Sequence, residues 1–420
     1  MAYKPKPAYF PKASITEYAP SLTPIGIMLT PRPDEGIERP ERVLMVGPTP
    51  PPAHGISVLT DLLLQSGLKQ SFEIVHLDTA DRRTLGNVGR FEFRNVALAL
   101  YHGARFQWLV WSKRPALVYM PVSESWLGFV RDSLFLLPSR LQNVPVVLHL
   151  HGGYLDTLYA QRGPLFQWLM RFCFRHAARA IVLSNSFRGK FAGLVEADRI
   201  RVVYNGIPST LYQACKDGHR FVGSVPKTVL FLGGLMESKG FFDLLRSVPH
   251  VLEQTTDVRF LFVGDTSFPE AERAMEWAKD RSIDSYVEFL GIRTGDEKIR
   301  IFQESDVFAF PTWYPLEGQP VAILEAMAAG LPVLTTRHAT IPEVLGEDGA
   351  LYVNKRDPVD IAAKLLQLLE DDSLRERMGQ NNQIRFLRCH TADKFAQGVV
   401  QVLRQAISVQ SPSVDCLERL

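Results

Sequence analysis

Two glutamates eight positions apart, Glu317 and Glu325, stand in the segment FPTWYPLEGQPVAILEAMAAGLPVLTT, and their surroundings give them a chemistry. A strand-like run from Asp306 to Phe310 stops at Pro311, and Glu317 lies in the turn that follows. Gly318, Gln319 and Pro320 open a helix, at whose first turn a proline's missing N–H costs nothing. Glu325 sits inside that helix and Gly330 closes it. A helix start offers free N–H groups and the positive end of a dipole, both attractive to phosphate oxygens. Carboxylates accept hydrogen bonds from neighbouring hydroxyls. The combination suits a phosphorylated sugar. Most helical glutamates are merely solvated, but Glu325 lies between Leu324 and Ala326 in a helix with almost no other polar residue. Burying an unpaired carboxylate costs several kcal/mol, so this acid calls for a partner.

The elements that would position these acids alternate along most of the chain. Short apolar strands are expected at Val43–Val46, Phe72–Leu77, Leu117–Met120, Val146–Leu150, Ala180–Leu183 and Arg201–Tyr204. A second set follows at Val229–Leu232, Arg259–Val263, Val287–Leu290, Val307–Phe310, Val333–Thr335 and Leu351–Val353. Continuous β-branched and aliphatic runs separated by helix-length segments imply parallel sheets covered on both faces. Both halves begin with a strand feeding a glycine-containing loop, LMVGPTPPPAHGIS and LFLGGLMESKG. The expected fold is therefore α/β, two Rossmann-like doubly wound domains facing across a cleft. Expected boundaries are a proline-rich arm at 1–40, a first domain at 41–207, a linker at 208–226, a second domain at 227–385, and a C-terminal helix and tail at 386–420. That last helix is expected to cross back to the first domain.

In such sheets ligands bind where strand C-terminal ends meet loops. His151, ahead of Gly152–Gly153, follows the fourth strand; Ser184 and Ser186 follow the fifth; Gly264 and Asp265 follow Arg259–Val263. His149, two positions before His151, reads as structural. Asn205–Gly206 reads either as a turn or as part of the cleft lining.

A chain of 420 residues exceeds the usual size of one core, which also favours two domains. A net charge of +2 is too small to argue for nucleic acid, and no basic run is interleaved with aromatics in the manner of a single-strand groove. Four scattered cysteines (Cys173, Cys215, Cys389, Cys416) have no metal spacing and fit a reduced cytosolic compartment. The first forty residues lack a signal-peptide pattern, and no stretch reaches the ~18 apolar residues of a membrane span. A cytoplasmic protein is expected, with peripheral attachment to the inner face of the cytoplasmic membrane as an option.

These segments together resemble the retaining glycosyltransferases of family 4, which have the GT-B fold; the resemblance runs from about Val43 to Leu369. Its most specific part is the paired glutamates within LEGQPVAILEAMAAGLPVLTT. FLGGLMESKGFFDLL resembles the family's phosphate-binding loop, and LHLHGG, IVLSNSF and VVYNGI resemble its cleft-lining segments. The resemblance implies that Lys239 binds the donor diphosphate in the loop that includes Gly233 and Gly234. Glu317 would contact the hydroxyls of the transferred sugar, and backbone N–H groups of Gly318, Gln319, Pro320's neighbour Val321 and the turn around them would lie near the β-phosphate. Glu325 would take the ribose hydroxyls and Gly291 and Ile292 would pass close to the base, with Gly264 and Arg293 among the substrate-binding residues. His151 would meet the donor sugar from the opposite domain, while Asn205 would line the cleft and Gly55 would approach the phosphates and acceptor. Catalytic roles fall to His151, Lys239 and Glu317.

Many members of that family carry an arginine where this chain has Gly234, and Arg293 is the nearest substitute by pattern. The implied reaction releases a nucleoside diphosphate from the anomeric carbon while an acceptor hydroxyl attacks the same face. No aspartate cluster of the kind that holds Mg²⁺ is present, so no metal and no cofactor are expected beyond the nucleotide-sugar substrate. Aromatic and basic residues mix between Arg90 and Arg140: Arg90, Phe91, Phe93, Arg94, Arg105, Phe106, Trp108, Trp111, Lys113, Arg114 and Trp126. They read as an ordinary amphipathic helix or as a surface for anionic lipid headgroups, which would suit a glycan or lipid-linked acceptor in polysaccharide biosynthesis. Competing readings are a GT-B sugar-nucleotide epimerase or hydrolase and a catalytically silent binding subunit. A dehydrogenase is disfavoured because neither opening loop has GxGxxG with a following acid.

Overall fold

Apolar runs long enough for one strand each, separated by helices, build two parallel sheets in the computed structural model. It describes residues 40–51, 55–82, 93–216 and 226–408. The expected N-terminal arm, Arg90, Phe91 and the last residues of the tail lie outside them.

The first sheet contains β1 (Arg42–Gly47), β2 (Glu73–Asp78), β3 (Leu117–Pro121), β4 (Val146–His149), β5 (Arg179–Val182) and β6 (Ile200–Val202). The second contains β7 (Lys227–Leu232), β8 (Val258–Val263), β9 (Val287–Gly291), β10 (Val307–Phe310), β11 (Val333–Thr336) and β12 (Ala350–Val353). All twelve expected strands are present, with ends that differ by at most two residues. Strand order is β2-β1-β3-β4-β5-β6 in one sheet and β12-β11-β10-β7-β8-β9 in the other, every pairing parallel. Order reverses between β1 and β3 and between β7 and β10. Doubly wound sheets open a crevice at such a reversal, because the helices on its two sides cover opposite faces.

Side-chain alternation sorts each strand between two faces. Leu44 and Val46 pack with Phe106, Phe129 and Phe135 on one side of the first sheet. Val43 and Met45 turn to the other, where Phe395, Val399 and Leu403 cover them. Those covering residues belong to the Ala392–Ser408 helix, so the end of the chain closes the first sheet after the second is complete. Arg201 Nε donates to Gln405 Oε1 at 3.1 Å across this junction. The second core is continuous and rich in phenylalanine, with Phe231, Phe241, Phe260, Phe262, Phe308 and Phe310 essentially sealed from solvent.

The stretch expected as a low-periodicity linker differs from that reading. It holds the Thr210–Cys215 helix, whose Leu211 is buried in the second core. A single helical turn leaves too few apolar positions for a period to register in the sequence.

Candidate functional site

The two loops leaving β7 and β10 flank the reversal of the second sheet, and they bring Lys239 and Glu317 together. After β7 the chain makes a 3₁₀ turn, Glu237–Lys239, which Gly240 ends at φ +82°. That conformation lets the turn lie against the other loop, and a Cβ on Gly240 would overlap the Pro311 carbonyl oxygen. Trp313 N donates to Ser238 O at 2.9 Å, pinning the loops to each other. Lys239 Nζ then reaches both oxygens of Glu317, at 3.1 and 2.9 Å. Thr312 Oγ1 donates to Glu317 Oε2 at 3.0 Å, and the Tyr314 ring lies 4.3 Å from the ammonium. Glu317 is 6% exposed, so this carboxylate is held by three donated bonds away from water.

The opposite wall comes from the first sheet. The loop after β4 carries His151, Gly152 and Gly153, and it meets residues 316–318 of the second sheet backbone to backbone. A Cβ on Gly318 would overlap the His151 carbonyl oxygen, and one on Gly153 would stand 2.9 Å from the Glu317 carbonyl oxygen. His151 is therefore within one residue of the Lys239–Glu317 pair, across the seam between sheets. Its ring lies 4.0 Å from that of His149, tilted by 30°, and burial pushes its pKa down to about 4. Its Nδ1 is buried without a protein partner. His149 donates or accepts through Nδ1 at 2.6 Å from the Tyr119 hydroxyl and is fully buried, the structural role expected of it.

Comparison with known proteins matches the same two halves. Residues 35–206 fit the family described as "Glycosyl transferase 4-like domain", and residues 226–371 fit "Glycosyl transferases group 1". The chain belongs to the family 4 glycosyltransferases of the GT-B fold. A D-inositol 3-phosphate glycosyltransferase of Corynebacterium efficiens is 32% identical over 48% of this chain and 51% of its own. A Xanthomonas oryzae protein named GDP-mannose:cellobiosyl-diphosphopolyprenol alpha-mannosyltransferase is 27% identical over 58% of this chain and 62% of its own. The match to the first of these curated relatives thus spans about half its length. Anabaena HepE, solved in complex with UDP, superposes with a TM-score of 0.66 over 87% of this chain and 99% of its own, at 17% identity.

Within this GT-B frame the remaining expected residues fall into three groups. Gly233, Gly264 and Gly291 stand side by side at the ends of β7, β8 and β9, linked by Gly233 N to Val263 O (3.0 Å) and Gly264 N to Gly291 O (3.1 Å). Gly264 is obligatory there, since a Cβ would overlap the Gly233 carbonyl oxygen. Gly291 and Gly55 have open space beside them, a Cβ on Gly234 would make ordinary contact with the Met236 side chain, and Ile292 is exposed. Val321 begins the helix Val321–Ala328, so Pro320 stands at its N-cap and not within its first turn as expected. Glu325 is paired, as its apolar helix requires, with Lys298 Nζ donating to its Oε1 at 2.6 Å.

Three expected residues have their side chains directed elsewhere. Arg293 approaches Glu297, four residues on, at 3.6 Å, and among the described residues no contact joins it to Lys239. Gln319 bridges the seam: its Oε1 accepts from Asn205 N at 2.9 Å and its Nε2 donates to His390 Nδ1 at 3.0 Å. Asn205 is buried, and its Oδ1 lacks a partner. The side chains of Asn205 and Gln319 thus sit at the join between the sheets.

Sequence reasoning missed the groups that hold this join and the partners of the acids. Glu343 of the Ile341–Leu345 turn accepts from Asn185 N (2.8 Å), Ser186 N (3.2 Å) and the Tyr204 hydroxyl (2.9 Å), all on the first-sheet side. Lys298, Thr312, Tyr314 and His390 escaped notice too. Only Glu325 had left a signal, since a carboxylate in an apolar helix demands a cation. Among the described residues no group of three or more His, Cys, Asp or Glu is placed to hold a metal ion.

His390 makes the join acid-sensitive. Burial lowers its pKa from 6.5 to about 4, with a smaller push from Arg385, so the folded protein keeps it neutral while the unfolded chain protonates near 6.5. Its stabilising contribution is complete above pH 6.5 and is lost as pH falls toward 4. That amounts to roughly 2 kcal/mol by pH 5. Urea midpoints at pH 7 and pH 5 should differ by less in His390→Gln than in the wild type.

Proposed function

We propose that this protein transfers a sugar from a nucleotide-sugar donor to an acceptor hydroxyl, with retention of configuration and without a metal ion. The observation that carries this reading is the pair of half-buried Lys239 and buried Glu317 at the reversal of the second sheet, with the His151 backbone against the neighbouring Gly318 across the seam. A donor diphosphate offers Lys239 a stronger partner than Glu317, and the freed carboxylate can accept hydrogen bonds from the sugar hydroxyls. Negative charge grows on the diphosphate as the anomeric bond breaks, and a fixed ammonium beside a helix N-terminus stabilises that charge with little reorganisation. Glu325, in the helix that follows Glu317, and its partner Lys298 suit the ribose hydroxyls. A UDP complex of a structural neighbour and the GDP-mannose in a relative's name support a nucleoside diphosphate donor. Thermal-shift titration with UDP-, GDP- and ADP-sugars, followed by transfer of label from the one that binds, tests the proposal. A donor converted quantitatively without any acceptor would point to an epimerase.

The acceptor reading is a lipid-linked or growing glycan met at an anionic membrane surface. The Phe93–Lys113 helix contains three cations and no acid. Its outer face exposes Phe93, Leu100, Tyr101, Trp108 and Trp111, while Phe106, Leu109 and Val110 face the core. Large exposed apolar side chains on a helix that itself carries only positive charge favour insertion at anionic headgroups. The Xanthomonas relative's name, with its diphosphopolyprenol acceptor, agrees with a lipid carrier. Among the described residues no helix is long and apolar enough to cross a membrane. Flotation with anionic liposomes should recover the wild type at low salt. A Trp108→Glu/Trp111→Glu variant should be recovered at least about tenfold less, because two aromatic anchors become charged.

A further inference from the structure

Beneath His151 the first sheet buries two more polar side chains in line with it. Tyr119 in β3 and His149 at the end of β4 stand on neighbouring parallel strands, whose register pairs Tyr119 with Val147 and Pro121 with His149. Both are closed to water, Tyr119 at 3% exposure and His149 completely. The Tyr119 hydroxyl stands 2.6 Å from His149 Nδ1, and the His149 ring in turn neighbours that of His151. Burial fixes the charge of all three. It raises the Tyr119 pKa, so the phenol keeps its proton, and it lowers those of both histidines, so each imidazole is neutral at pH 7.

A neutral imidazole has one N–H and one bare nitrogen, and the bond made by one nitrogen decides which form the other takes. Among the described residues the Tyr119 hydroxyl has no acceptor other than His149 Nδ1. It therefore donates there, and the His149 proton sits on Nε2. That Nε2 and His151 Nδ1 are both buried without a protein partner, so adjacent rings hold one sealed donor and one sealed acceptor. The reverse order, with the protons of both rings on Nδ1, would strand the phenol proton in the core, where an unmade bond is costly.

We propose that Tyr119 and His149 are positioning residues for sugar transfer: His149 Nε2–H occupies His151 Nδ1 and thereby holds the His151 proton on Nε2, the ring nitrogen a donor substrate can reach. This rests on the sugar-transfer reading above and adds the form in which His151 serves it. Rings tilted by only 30° do not meet N–H to N in line, and one ordered water is the usual bridge between two such sealed groups. His151 itself is half-buried, and its Nε2 is neither sealed nor bonded among the described residues. Held as an N–H, that nitrogen donates to an oxygen of the nucleotide sugar; bare, it would repel the same oxygen. No proton changes hands. The His151 carbonyl oxygen already lies against Gly318, so the backbone of this residue is set by the second sheet and its ring by the first.

Nitrogen-15 shifts distinguish a protonated from a bare ring nitrogen, and histidine-labelled protein gives them without any substrate. The His151 signals are assigned by their loss in His151→Asn. Wild type should show His151 protonated on Nε2 and bare on Nδ1. Tyr119→Phe/His149→Phe removes both supporting polar groups together, so neither is left stranded by loss of the other. In that double variant His151 should move toward the Nδ1–H form. Its release of nucleoside diphosphate should slow by roughly 10- to 100-fold, the usual loss when a histidine's orienting partner is removed. Release is measured with water as the acceptor and the nucleotide sugar that most raises the melting temperature. His149→Gln keeps an amide N–H near the position of Nε2–H and should restore the wild-type form of His151 and most of the rate. A wild-type His151 protonated on Nδ1 overturns the proposal, as does a double variant with the wild-type form or rate. A His149→Gln variant as slow as the double variant equally overturns it, since packing alone would then explain the loss. A wild-type protein whose melting temperature no nucleotide sugar changes would sink the transfer reading, and this role with it, while the nitrogen-15 result would stand on its own.

Discussion

Replacing Lys239 by methionine is expected to slow sugar transfer by roughly 100- to 1,000-fold, the usual loss when one preorganised donor to a developing anion is removed. The geometry gives this substitution a second effect. Lys239 Nζ contacts both carboxylate oxygens of Glu317, whose one other side-chain hydrogen bond among the described residues comes from the Thr312 hydroxyl. Methionine fills much of the same space but leaves that carboxylate buried without a counter-charge, and breaking a buried pair costs about 3–5 kcal/mol. Some of this is relieved if water enters, so the melting temperature should fall clearly without loss of the fold. Adding Glu317→Gln to the methionine variant removes the stranded charge. The double variant should recover much of the lost melting temperature and none of the lost rate. Recovery of both, or a methionine variant that transfers at the wild-type rate, would mean that the pair is a structural ion pair. Nucleoside diphosphate release and thermal melts on the two variants decide between these outcomes.

The sequence revealed what is periodic and local. All twelve strands were legible because each is a run of apolar residues buried on both faces, and the order of the loops placed His151, Lys239 and Glu317 at strand ends. Juxtaposition was harder to read. Lys239 and Glu317 are 78 positions apart, and they meet because sheet order sets β7 beside β10. Resemblance supplied that pairing; spacing alone did not. Glu325 announced that it needed a cation, yet nothing in GDEKIR distinguishes Lys298 from other surface lysines before the fold exists. The join between sheets was least legible. Glu343, Gln319 and His390 lie on short turns or at helix ends, where single polar side chains carry no period, and their partners belong to the other sheet. Arg293 shows the opposite error: proximity in pattern to the missing loop cation gave it a role, whereas its neighbour in space is Glu297.

The glycines of the join carry the other large expectation. Gly318 touches the His151 carbonyl oxygen so closely that alanine cannot be accommodated without moving one backbone from the other. Neither partner is a flexible side-chain end, so the sheets must part. Glu343 and Gln319 pull in the opposite direction through bonds at the same join, but hydrogen bonds of about 1 kcal/mol each do not offset a backbone overlap. Parting the sheets displaces Lys239 and Glu317 from His151, and a misplacement of about 1 Å typically costs on the order of 100-fold in rate. Gly318→Ala should therefore lower the turnover rate by about that factor while donor affinity, which depends on the second sheet, changes little. Gly163→Ala is a suitable control, because Gly163 has open space beside it and lies ahead of the Pro164–Phe174 helix, away from the join. Small-angle scattering should show a larger radius of gyration for Gly318→Ala than for the control. Wild-type turnover in that variant would mean that the backbone contact between residues 151 and 318 is not part of the reacting arrangement.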